Sequence, residues 1–206
     1  MTKPDPLAAS PSNLVEIDSH AAETLQYIRS SMDAATAIRV HGAAGVSMGL
    51  IGLAAMALSV IPRLAAHWLG IWLSSAVIAG VIGGALVVRP ASINRLALSG
   101  TPIRKFAICL AAPLFVGAVL TAVLIMHGAL DVIPGTWLLL YGSALFAASV
   151  MTTRTIGAMG ISFMILGLFT FLLPMNIQIL ALGVGFGGLH LIFGWWISRE
   201  SHERQV

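Results

Sequence analysis

The chain reads as an all-α integral membrane protein: a six-helix transmembrane bundle with both termini inside, preceded by a cytoplasmic amphipathic helix. Three observations predict this. Apolar segments recur at 41–62, 68–88, 106–126, 136–153, 156–174 and 177–198, each near the length of about 20 residues that a helix needs to cross about 30 Å of hydrocarbon. Charged residues make up 9% of the chain and hydrophobic ones 58%, against about 25% and 45–50% in a soluble domain. Threading the segments alternately puts Lys3, Arg29, Arg39, Arg89, Arg95, Arg104, Lys105, Arg154, Arg199 and Arg204 on one side and leaves only Arg63 opposite. Positive charge near short loops is retained in the cytoplasm, which assigns both termini to that side.

The first 40 residues are expected to form a cytoplasmic tail and a one-sided helix. Residues 1–12 are rich in Pro and Ser, a composition of turns and tails. Asn13 and Glu16 then have the spacing of a capping box, in which side chain and backbone answer each other at a helix start. Leu14, Ile17, Ala21, Leu25, Ile28, Met32 and Ala35 recur at three- and four-residue steps, which is helical periodicity. A helix that lies on lipid is usually rich in Lys and Arg on its polar face. Here Glu16, Asp18, Glu23 and Asp33 outnumber Arg29 and Arg39. Packing on protein is therefore expected, either on a cytoplasmic partner or on a second copy of this chain. No secretory leader is expected, because about 40 polar-leading residues precede the first apolar stretch. The first span should itself direct insertion.

Residues 41–199 are expected to hold the six spans and 200–206 a short cytoplasmic tail. The outer loops near 63–67, 127–135 and 175–178 are too short to build a domain, and the longest loop, Arg89–Lys105, is basic and cytoplasmic. Two segments that enter from the cytoplasm resemble each other. Arg39, Gly42, Ala43, Gly45, Ser47, Gly52 and Leu53 recur without a gap as Arg154, Gly157, Ala158, Gly160, Ser162, Gly167 and Leu168. Spans 1–2 and 5–6 thus have the pattern of parallel copies, as in several transporter folds, although small apolar residues also coincide by chance.

Between helices in a bilayer there is no hydrophobic driving force, so association rests on close backbone approach and a few polar contacts. Gly45 and Gly49 in span 1, Ala76, Gly80 and Gly84 in span 2, and Gly183 and Gly187 in span 6 have the four-residue spacing of such contact faces. His190 shares its face with Gly183, Gly187 and Gly194, and so is expected inside the bundle. Counted at about 1.5 Å per residue from Ser198 it lies about 12 Å deep, with Ser47 and Ser162 at about 9 Å. These three form the candidate intramembrane polar site. An ionisable group at that depth is a functional-site candidate by default; the plainer role is a neutral imidazole joining two helices.

Several classes of function are disfavoured. The net charge of +3 reports orientation and contact with anionic headgroups of the lipid bilayer, and no nucleic-acid partner is expected. No Asp, Glu, Lys or Arg lies well inside a span, whereas ion-coupled transporters and voltage sensors need such groups. His-Glu-x-x-His and a Gly-rich phosphate loop are missing from the sequence, and Gly45-Val-Ser47-Met-Gly49 has the Gly-x-Ser-x-Gly spacing only inside an apolar span, without the strand-to-helix turn that motif needs. No catalytic residue, cofactor or metal site is therefore assigned. His41 and His190 stand at different depths for a shared haem. His67, His127 and Asp131 lack diagnostic spacing for zinc, and Cys109 is the sole cysteine. Trp68, Trp72, Trp137, Trp195 and Trp196 fall near span ends, as in an aromatic belt.

The stretch Tyr27-Ile-Arg-Ser-Ser-Met32, the segment Trp137-Leu-Leu-Leu-Tyr-Gly142 and the run Gly185-Phe-Gly-Gly-Leu-His-Leu-Ile-Phe-Gly194 together resemble a group of small bacterial inner-membrane proteins with six spans and a cytoplasmic N-terminal helix. The resemblance implies a bacterial inner membrane and brings no defined chemistry. Two functional classes stay open: a membrane scaffold or sensory/regulatory subunit acting through a cytoplasmic partner, and a small carrier or channel for a neutral or weakly polar solute. A polar cavity reaching His190 would favour transport; a dry interior packed on glycine would favour the scaffold.

Overall fold

The computed structural model describes residues 23–28, 42–93, 101–150 and 152–203, without the side chains of 87–93, 101–105 and 201–203. Nearly all of these residues are helical and none is in a strand. The helices are α1 (Gly42–Ser59), α2 (Trp68–Ile93), α3 (Thr101–Met126), α4 (Ile133–Ser149) and α5 (Arg154–Thr170). The last long segment runs through α6 (Met175–Leu182), a π-helical stretch (Gly183–Leu189) and α7 (His190–Glu203). Five segments are long and apolar enough to cross a membrane: Gly42–Ser59, Ala65–Leu86, Phe106–Met126, Leu130–Ser149 and Met175–Glu200. The remaining helix, α5, is apolar but has only 17 residues.

The helix ends differ from the apolar boundaries because a backbone can stay helical after its side chains turn polar. α2 runs on to Ile93 and α3 begins at Thr101, so much of the expected Arg89–Lys105 loop is helix. α4 starts at Ile133, three residues before the apolar stretch, with Pro134 in its first turn. Proline is tolerated there because that N–H has no helical acceptor. The turn after α3 is closed by Gly128 at φ +71°, a left-handed conformation that glycine adopts without a side-chain clash. Of the N-terminal helix, only 23–28 is described; it is helical and exposed, with Leu25 at 66% and Ile28 at 48% of full accessibility. Asn13, Glu16 and the rest of that periodic stretch lie outside the described residues.

Glycine sets the spacing of the bundle. A methyl built on Gly45 would stand 2.9 Å from the Cα of Gly194, and one on Gly194 would stand 2.8 Å from the nitrogen of Val46. The backbones of α1 and α7 therefore touch. Further along, Gly49 faces Leu191 and Gly187 faces Leu53, while Gly183 receives Met56. α4 and α5 meet in the same way through Gly142, Gly160 and Gly167. α1 also holds α2, and α4 holds α3, whereas α2 and α3 pack little against each other. The fully buried side chains Ile133, Leu138, Phe163 and Leu182 fill the centre.

Two glycines of the expected span-2 face are not at a contact. A methyl on Gly80 or on Gly84 would meet nothing within 4 Å, whereas one on Gly83 would meet Met48 at 2.5 Å. The four-residue spacing is real, but the contact runs one residue to its side. The similar segments beginning at Arg39 and Arg154 also face unlike neighbours. Gly45 lies on α7, but its counterpart Gly160 lies on α4. The belt expectation fits Trp195 and Trp196, which are exposed. Trp68 and Trp72 are instead buried at 8% and 4%, and Trp68 meets Trp137 at 6.4 Å between ring centroids.

Candidate functional site

The π-helical stretch is Gly-Val-Gly-Phe-Gly-Gly-Leu, ending at His190. A π-turn bonds i to i+5, which widens the helix, and such turns occur often at functional sites. Here the glycines let neighbouring side chains press into the widened wall. Besides Met56 and Leu53 from α1, Leu138 of α4 comes within 2.5 Å of where a methyl on Gly185 would sit. Phe186 and His190, four residues apart, then share a face that looks toward α4 and α5.

There His190, only 3% exposed, joins the hydroxyl of Tyr141 through Nε2 at 2.8 Å. Two aromatic rings enclose the pair. Phe163 meets the imidazole edge-on at 5.3 Å and Phe186 stacks on it at 6.2 Å. Tyr141 lies 5.0 Å from Phe163 and 5.1 Å from Phe186. These separations fall within the favourable range for ring pairs. The other imidazole nitrogen, Nδ1, is buried and in hydrogen-bonding geometry with no group among the described residues.

Beyond this pair lies a cleft of about 290 Å³. α2 forms one wall with Ala76, Ala79 and Gly80; α3 forms the other with Pro113, Leu114, Gly117 and Ala118. Its floor is Met48, Ile51 and Gly52 of α1, Leu140 and Tyr141 of α4, and Phe186 with His190. Because α2 leans on α1 and α3 on α4, the gap between α2 and α3 is left open, and Leu73 and Leu114 beside it are 42% and 51% exposed. Pro113 has no N–H to give, so the carbonyl one turn back in α3 lacks its usual helical donor. Trp137 closes one end by donating to Thr121 Oγ1 at 2.8 Å, while Thr121 donates to the Gly117 carbonyl. Trp72 lies tilted against Phe186 at 6.0 Å between ring centroids, and its Nε1–H is buried without an acceptor among the described residues.

The expected grouping of His190 with Ser47 and Ser162 is not found. Ser47 donates to the Ala44 carbonyl at 2.9 Å and Ser162 to the Ala158 carbonyl at 3.0 Å. Neither lines the cleft. A serine within a helix readily satisfies its hydroxyl on its own preceding turn, and that local bond won over a distant imidazole. The partner that sequence reading passed over is Tyr141. It stands eight residues from Ser149, the last residue of α4, as His190 stands eight from Ser198, so the count that placed His190 puts both about 12 Å from those ends at 1.5 Å per residue. Applying the depth count to tyrosine would have paired them. Just past the end of α3, His127 bonds the Val123 carbonyl at 2.9 Å. No three His, Cys, Asp or Glu converge among the described residues.

Chemically the pair can hold or relay a hydrogen bond, and Tyr141 can donate or accept according to which imidazole nitrogen carries the proton. Among the described residues, no carboxylate, lysine or arginine lines the cleft. Comparison with protein-family models, with curated proteins and with solved structures finds no match to this chain.

Proposed function

We propose that this chain is a six-span protein of a bacterial inner membrane, with both termini in the cytoplasm, that serves as a sensory or regulatory subunit and acts through a cytoplasmic partner. The observation that carries this reading is the character of the interior. The cavity that reaches His190 is walled almost wholly by apolar side chains and opens between two helices, not along the bundle. A carrier for a polar solute needs polar groups along its route. The buried hydroxyls of Ser59, Thr121 and Thr170 are instead turned onto carbonyls of their own helices. Contact with a partner is supported by Leu25 and Ile28, apolar side chains of a helical turn that the bundle leaves uncovered.

Two measurements test the reading together. A photoreactive amino acid at Leu25 should give a discrete protein adduct in cells, and one at Leu172 on the outer side should not. The purified protein in liposomes should leave the permeation of urea and glycerol unchanged. Accelerated permeation without an adduct at Leu25 would establish the carrier alternative.

A further inference from the structure

We infer that the cleft between α2 and α3 is a binding site for a neutral lipid-like alcohol, its hydroxyl at Tyr141 or Trp72 and its chain leaving between the two helices. The site goes beyond the regulatory reading and does not depend on it. At about 290 Å³ the cleft lies at the lower edge of the range of small-molecule pockets. It suits a headgroup and the first part of a chain, with the rest in the bilayer. The small residues Ala76, Ala79 and Gly80 face Gly117 and Ala118 across it, which leaves a slot wide enough for a chain. Gly80 in particular has open space where a side chain would go.

The polar groups select the headgroup. With no lysine or arginine in the wall among the described residues, a carboxylate or phosphate would enter a low-dielectric site uncompensated, which is costly. A pure hydrocarbon would leave the Trp72 Nε1–H without an acceptor, as it is among the described residues now. Whichever of Tyr141 and Nε2 of His190 donates in their bond, the phenol oxygen keeps a lone pair for a further donor. An alcohol answers both needs, since it can accept from the indole or donate to the phenol. The flat rings of Trp72, Phe186 and Tyr141 in the same wall favour a slender body lying against them.

The test uses the full chain in nanodiscs and three diazirine-bearing probes of equal length: octadecanol, octadecanoic acid and octadecane. The alcohol should label the cleft-facing residues of α2 and α3, mapped by mass spectrometry, and unlabelled octadecanol should compete. The acid and the hydrocarbon should label those positions about tenfold less, the factor that one lost buried hydrogen bond produces. Tyr141→Phe should weaken competition by the alcohol several-fold without changing residual labelling by the hydrocarbon. Gly80→Phe fills the slot from a position that touches no neighbour, so the fold should persist while cleft labelling disappears. Labelling spread evenly over the lipid-facing surface, equal labelling by the acid, or full labelling in a folded Gly80→Phe variant would each overturn the assignment.

Discussion

Gly142 and Gly160 oppose each other across α4 and α5 so closely that a methyl on either would lie 2.7 Å from the other's carbonyl oxygen. The obstacle on both sides is backbone, which cannot step aside as a flexible side-chain tip can. Gly142→Leu and Gly160→Leu should therefore each destabilise the bundle by about 1–3 kcal/mol or more, the cost of overpacking a tight contact. A lowered melting temperature in detergent is the readout. Unchanged melting for both would mean that α4 and α5 do not touch there.

α2 offers a sharper contrast within one helix. Gly83→Leu should lower folded yield because it runs into Met48, whereas Gly84→Leu should be tolerated because that position faces open space. Size-exclusion profiles of the two variants decide the matter. Equal damage from both would place α2 on a different face.

The Tyr141–His190 bond joins α4 to the last span. His190→Leu strands the phenol and should cost about 1–3 kcal/mol, as should Tyr141→Phe, while His190→Gln retains a partner and should cost less. A double-mutant cycle measured by denaturation should show coupling between the two positions. Strict additivity would show that the bond does not form in the membrane.

The orientation is tested with cysteines at Ala129 and Ser201 in a Cys109→Ala background. In intact cells an impermeant thiol reagent should label the first and spare the second, as the distribution of Lys and Arg requires. Labelling at Ser201 alone would invert the topology.

How much of this was legible beforehand depended on whether the signal was local. Apolar length identified the helical segments, and the face shared by Gly183, Gly187 and His190 put the imidazole inside, where it is 3% exposed. Which carbonyl a serine prefers, or whether Gly83 or Gly84 meets Met48, depends on a rotation of a fraction of a turn, and spacing alone does not fix that. Two features had no local signal. The π-helical register depends on α1 and α4 side chains entering the glycine stretch. The cleft depends on α2 and α3 failing to meet, a property of tertiary arrangement that neither segment encodes by itself.

The brevity of α5 has a consequence for the lipids around it. Its 17 residues reach about 26 Å, while the 21 apolar residues of Phe106–Met126 reach about 32 Å. On the six-span reading proposed above, with both across one membrane, the protein presents hydrophobic walls of unequal height. Lipid beside α5 must thin or the helix must stand nearly upright, while lipid beside α3 meets a wall that tilts to fit. Each ångström of mismatch costs a fraction of a kcal/mol, so shorter acyl chains should gather on the α5 side. Bilayer thickness then bears unequally on the two ends of the bundle.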